Sequence, residues 1–545
     1  MAKSSVGLPR LPIAAIFFLA CLWTLCSVPT EGLAQTPTTA TWNGGTGNWS
    51  TAGNWAPGTV PNGNYDVFIN NAPSAVTFDS GASPGTIADL TLGTGNSLTL
   101  ATGTTLTVNG VGGAGTITNN GAISLNAATL SPGTGSLTLT GSGTLTLSSD
   151  GSSVLGGPSA TLINDTSHTI QGAGIVGGLL TNSGTITANQ SNALTLYVAG
   201  SSANSGTIQS TSTGGLNVQS SGAFTNSGNI LAAGGPVSIT GVITNNGTLG
   251  VASGSTMNMA GATLTNYSSN TLTGGTYNVT GTLALPVPTL ESIQTNAATI
   301  VLNGPSAAIT RGDGSNALSG FNTNASGGSF TIKNGANFTT AGAFNNAGTM
   351  TFGTGSTFAV GGGAAYTQTG GNTTVNDALT AGSISIQGGL LNGAGAITGG
   401  LTVGNVGTLH PGNSPGVLTV NGNYVNTGTL AIDILNLAGG PGTGYSQLVV
   451  NSSTVTILGG TLQINVLTGA VMTQGDKFDI LHATGGLSGT FASVTGDSSH
   501  FYVDYESNDV YLVATPIPPG LFLLSSGLVG LYGLRKRIMA LRHRG

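Results

Sequence analysis

The sequence predicts an all-β protein: a right-handed parallel β-helix (β-solenoid) with capping regions, an N-terminal signal peptide and a C-terminal hydrophobic helix. Three observations predict it. Apolar residues alternate with Thr and Ser, as in LTLGTGNSLTLATGTTLTVNG and SLTLTGSGTLTLSS, the period of short half-buried strands. A motif Asn-x-Gly-x-(Ile/Leu/Met) recurs at about the length of one solenoid coil. Only 5% of the 545 residues are charged, against roughly 25% in ordinary globular proteins. A solenoid stacks equivalent residues about 4.8 Å apart, where like charges would repel.

Residues 1–34 read as a signal peptide. Lys3 and Arg10 give the positive start, Ile13 to Val28 the apolar run, and Gly32-Leu33-Ala34 the small residues before a cleavage between Ala34 and Gln35. The expected partners are the Sec translocon and signal peptidase. Both cysteines, Cys21 and Cys26, fall inside this segment, so the mature body gains nothing from disulfides. A body of residues 35–519 holds three basic residues against fifteen acids, a net charge of −12. That surface repels phosphate and excludes nucleic acid as a partner.

Residues 35–73 are the expected N-terminal cap, since an open solenoid end invites edge pairing. The stretch TWNGGTGNWSTAGNWAPGTVP places Trp42, Trp49 and Trp55 there. Their aromatic faces have a second reading, as a contact for glycan rings.

Residues 74–432 are the expected repeats. The motif asparagines are Asn119, Asn182, Asn204, Asn226, Asn245, Asn346 and Asn426, with gaps of 63, 22, 22, 19, 101 and 80. The short gaps are one coil and the long ones about three, five and four, giving roughly 17 coils and a rod of about 80 Å. The Asn is expected to pass amide hydrogen bonds from coil to coil, and the following Gly to take a positive φ at a tight corner. Residues 433–513 hold eight charges, whereas residues 73–432 hold nine; this composition change marks a C-terminal β cap. No amphipathic helix is expected between residues 40 and 513.

Residues 514–545 have three parts: Pro516-Ile517-Pro518-Pro519, an uncharged span from Gly520 to Leu534, and the basic cluster Arg535, Lys536 and Arg537, with Arg542 and Arg544 behind it. Fifteen helical residues reach about 22 Å, short of the ~30 Å hydrocarbon core, and the basic cluster stays cytoplasmic. This order of elements resembles the PEP-CTERM sorting signals of Gram-negative bacteria, with Ile517 where the family carries glutamate, as in its PxP variant class. The resemblance implies an exosortase-like membrane transpeptidase as partner. It also implies export, a transient inner-membrane tether, then the cell surface or extracellular matrix. GNWSTAGNWAPGTVPNGNYDVFI, and LHPGNSPGVLTVNGNYVNTGTLAIDI at 409–434, resemble the two ends of autotransporter-type β-helical passengers. The sorting tail stands where such passengers carry a β-barrel translocator, so self-translocation across the outer membrane is not expected.

The body offers little catalytic chemistry. Arg311 and Lys333 stand alone, Lys477 lies between Asp476 and Asp479, and His168, His410, His482 and His500 show no metal-binding spacing. Asp504, Glu506 and Asp509 lie close enough to raise calcium, against a plain solvated face. Arg311-Gly312-Asp313 spells a cell-adhesion tripeptide in what reads as a turn. The expectation is a non-enzymatic structural or adhesive protein of an exopolysaccharide matrix or biofilm, without cofactor. The alternatives are a polysaccharide-binding module, a carbohydrate-active enzyme on the same fold and, remotely, ice binding through threonine ladders on one face.

Overall fold

Alternation of Thr or Ser with Leu, Ile or Val dictates the local structure. Ser97–Leu100, Ala122–Leu125 and Thr144–Leu147 each put one side chain half outward and the next fully inward. The computed structural model describes residues 36–515 except Thr134 and Ser452. Ala34 and Gln35, Pro516, Ile517 and Pro518, the hydrophobic span, and Arg535, Lys536 and Arg537 lie outside the described residues.

These strands pair in parallel, in register, coil upon coil. One column of outward positions runs from Thr46 through Thr144, Thr248, Thr349 and Thr429 to Ser493, twenty residues joined by nineteen pairings. Seventeen of them fall between residues 74 and 432, from Ala75 to Thr429, the coil count that the asparagine spacing predicts. At about 4.8 Å per coil the whole column spans about 90 Å.

One residue along each strand, the inward column stacks Val76, Leu98, Ile123, Leu145, Ile170, Ile186, Ile208, Ile230 and Leu249. All are at most 1% exposed. Each such side chain contributes roughly 1.5–3 kcal/mol by burial, so one column among several already provides a continuous core. Midway along, aliphatic ladders give way to rings: Phe344 stacks on Tyr366 at 5.8 Å and Phe352 on Phe358 at 4.8 Å.

Two features differ from the sequence expectation. The glycine that follows each motif asparagine does not adopt a positive φ: Gly184, Gly206, Gly228 and Gly247 all lie outside that region. Their requirement is space. A Cβ on Gly206 would stand 2.1 Å from the Gly184 carbonyl oxygen, and one on Gly228 2.1 Å from that of Gly206. Parallel pairing also continues past residue 432, through Thr429–Asn436, Thr461–Val471 and Ser493–Gly496. The charged C-terminal segment therefore begins as two wider coils. Closure comes from the antiparallel hairpin Phe501–Tyr505 and Asp509–Ala514, laid against Lys477–Ala483.

At the other end Thr38–Trp42 pairs in parallel with Tyr65–Ile69 and antiparallel with Trp55–Ala56. The tryptophan stretch is thus the first coil folded back on itself. The helical elements among the described residues are short 3-10 turns, and none of the described helices is long and apolar enough to cross a membrane.

Candidate functional site

A buried polar spine follows from the motif asparagines. Asn164 Nδ2 donates to Asn182 Oδ1 (2.8 Å), Asn182 to Asn204 (2.7 Å), Asn204 to Asn226 (2.8 Å) and Asn226 to Asn245 (2.9 Å). The remaining amide hydrogen of Asn182, Asn204 and Asn226 goes to the carbonyl of the glycine two residues on. That carbonyl fixes the amide orientation, since a flipped side chain would set oxygen against oxygen. All donors point the same way along the rod. A second spine runs Asn296, Asn324, Asn346, Thr373 and Gln368 in the same sense.

The first spine has a gap and a histidine fills it. Asn119 lies opposite Leu92 on one neighbouring coil, and Asn164 opposite Leu139 on another. His168 stands between the two asparagines. Its Nε2 accepts from Asn119 Nδ2 at 3.1 Å, and its Nδ1 donates to Asn164 Oδ1 at 2.8 Å. Asn119 Oδ1 is occupied by the Gly121 amide, which sets the tautomer. Burial pushes the imidazole down to about 4.

The three cap indoles are 0–1% exposed. Trp42 and Trp49 pack edge-on against Trp55 with centroids 4.9 and 4.7 Å apart, and Trp49 packs on Phe78. Each indole N–H reaches a backbone carbonyl, on Gly45, Pro61 and Trp49 respectively. No ring face is open to a sugar, so these residues act as the plug that covers the first coil.

The stretch LHPGNSPG acquires a physical role. Asp433 is 2% exposed and accepts from His410 Nε2 (2.8 Å), Ser414 Oγ (2.6 Å) and Asn465 Nδ2 (2.9 Å). Burial raises its pKa, but those three donors outweigh burial and bring the carboxyl down to about 2. Ser414 donates to Asp433 rather than to His410. The three therefore form an anchored anion and not a nucleophile with its base.

At two places the geometry favours the plain reading of the sequence over the functional one. Arg311 is 9% exposed and turned inward, donating to Glu291 O, Ser315 Oγ and Ser319 Oγ. The tripeptide's guanidinium is spent on the fold. Asp504 and Glu506 do share a face, but Lys477 Nζ lies 3.1 Å from Asp504, pairs directly with Glu506, and covers the Tyr511 ring. Asp509 is turned to His482 instead. That lysine takes the place a calcium ion would need.

The outward column is largely hydroxylic and carries no charged side chain. Twelve of the twenty residues in the column from Thr46 to Ser493 are threonine. The longest unbroken run is four, at Thr144, Thr169, Thr185 and Thr207. Asn229, Asn372 and Leu390 interrupt it, so it falls short of the many successive coils an ice-ordering face needs. An open apolar groove of about 310 Å³ crosses the same body. Pro158 and Ile175 wall it, Gly177 and Gly178 line it, and Gln219 and Ser221 add polar groups. Tyr197 in its lining is 47% exposed. Sequence patterning had no signal for this groove, which is assembled from four strands, Val154–Asn164, Gly174–Asn182, Leu194–Val198 and Leu216–Asn226. Asp66 and Asp89 pair in register beside a smaller groove with Thr91, Thr116 and Thr118, and no basic residue or histidine is among its described lining.

Residues 41–148 match a domain family of unknown function (DUF8693). That range takes in most of the tryptophan cap and the first coils. No curated protein matches the chain.

Proposed function

We propose that this chain is an exported structural or adhesive rod. It leaves through the Sec route, is held briefly at the inner membrane by its PEP-CTERM-like tail, and is released by an exosortase-like transpeptidase to the surface or matrix. There it binds exopolysaccharide without catalysis, through many weak contacts. We take the solenoid as right-handed, the hand of about 98% of parallel crossovers.

The observation that carries this reading is the registered outward column from Thr46 to Ser493. It presents an uncharged hydroxyl or amide at seventeen of twenty positions stacked about 4.8 Å apart, broken at Ala75, Ala122 and Leu390. Weak contacts at fixed spacing add through effective concentration. Such a surface suits a long neutral glycan, whose hydroxyls need partners of either polarity.

A binding-module reading is favoured at one place, the groove around Tyr197. An exposed ring beside amide and hydroxyl groups fits the face of a pyranose. The test is co-sedimentation of the purified chain with exopolysaccharide from its own cells. Retention that weakens several-fold in Tyr197→Ala supports grip at the groove. Retention unchanged in that variant assigns binding to the column alone, and no retention at all contradicts the adhesive role.

A further inference from the structure

The strand Lys477–Ala483 carries a bulge opposite Asp509–Ala514, between Asp479 and Leu481. Residues three apart on a regular strand face opposite sides of a sheet. The bulge cancels that alternation, leaving Ile480 and Leu481 both buried and Asp479 and His482 both half-exposed. Asp509 pairs directly with His482. One ligand atom from each of Asp479, His482 and Asp509 then lies within 4.8 Å of the other two.

The electrostatics of this cluster do not close by themselves. His482 Nδ1 is 2.6 Å from Asp509 Oδ1. Asp479 Oδ2 accepts from Gln447 Nε2 at 2.9 Å, but Asp479 Oδ1 is buried with no hydrogen-bond partner. Burial first, and the charge of Asp509 second, push the Asp479 carboxyl up to about 6. A carboxylate oxygen that faces no donor beside a second carboxylate is short of a cation. The cation nearest by sequence, Lys477, is committed to Asp504 and Glu506.

We propose that Asp479, His482 and Asp509 bind one divalent transition-metal ion of the zinc class. The donor set is two carboxylate oxygens and one imidazole nitrogen. Zinc takes such donors at about 2.0–2.2 Å, whereas calcium asks for six to eight oxygens. The ion takes the position of the hydrogen between His482 Nδ1 and Asp509 Oδ1, and the ring binds as a neutral imidazole with its hydrogen on Nε2. Gln447 holds Asp479 from behind, the usual role of an outer hydrogen bond at a metal centre. His482 is 39% exposed, which leaves a side open for entry and for water ligands. The site would cross-link Lys477–Ala483 to the last strand and so pin the closing hairpin.

The test is calorimetric titration of zinc chloride into the EDTA-stripped full chain. One ion per chain is expected, with a rise in melting temperature. His482→Gln and Asp509→Asn should each weaken binding at least tenfold, Asp504→Asn should leave it unchanged, and calcium should not compete. Cobalt(II) added to the unaltered chain gives a readout independent of whether the variants fold: visible d–d bands are expected, and displacement by zinc should erase them. No saturable zinc binding, no cobalt bands, or affinity unchanged in folded His482→Gln and Asp509→Asn would each overturn the proposal.

Discussion

His168 Nδ1 stands 2.8 Å from Asn164 Oδ1, and this contact joins two parts of a polar spine across a coil that lacks its asparagine. The relay needs a neutral ring, because Nε2 must accept from Asn119. Burial agrees, holding the folded pKa at about 4 against about 6.5 in an unfolded chain. The unfolded state therefore takes a proton that the folded state refuses. Stability is full above about pH 6.5 and falls as pH drops toward 4, by roughly 2–3 kcal/mol at pH 4.5. Urea unfolding at pH 7.5 and 4.5 reads this. His168→Gln should flatten that limb, and an equally steep limb in the variant would contradict the assignment.

Asn204 lies mid-spine, accepting from Asn182 and donating to Asn226. Asn204→Ala leaves a buried donor and a buried acceptor short of a partner, at a cost of roughly 2–4 kcal/mol. Asn204→Asp still accepts but cannot donate, and it buries a charge, so it should be worse than Ala. Chemical denaturation of the two variants checks the order. Asp equal to or better than Ala would mean that the spine does not run in one direction.

Gly206 and Gly53 separate close approach from chain flexibility. A Cβ on Gly206 meets the Gly184 carbonyl at 2.1 Å, whereas one on Gly53 meets nothing within 4 Å. Gly206→Ala should cost roughly 2–3 kcal/mol by forcing coils apart, and Gly53→Ala should stay within about 0.5 kcal/mol. Thermal melts of both variants decide it, and equal effects would refute the spacing argument.

Asp433 ties the His410–Gly416 loop to the rod. Its folded pKa of about 2 lies below an unfolded value of about 3.9, so its contribution is present above about pH 4 and is lost as pH falls through 2. Asp433→Ala strands three donors and should cost roughly 3–5 kcal/mol. Limited proteolysis should then cut first near residues 411–416. An unchanged cleavage pattern would show that the anion does not hold the loop.

Fold class was legible because alternation and period are written directly into the chain. Asn182, Asn204 and Asn226 announce themselves at 22-residue steps, and the coil count followed from them. Asn164, Asn296 and Asn324 belong to the same spines but lack the glycine two residues on, so the motif passed over them. The glycine's role was misread because a positive φ and a tight backbone approach leave the same letter in sequence. His168 carried no signal, since its partners are 4 and 49 residues away. The pairing of Asp509 with His482 rather than with Asp504 and Glu506 depends on a bulge and a hairpin that side-chain spacing alone does not encode.

The most direct measurement is the intact mass and location of the protein made by its own cells. The expected chain starts near Gln35, ends near Pro516–Gly520 and lies outside the cell. A chain that keeps its tail through Gly545 and stays in the inner membrane would contradict it, because the sorting signal would then be an anchor and the matrix role would lose its support.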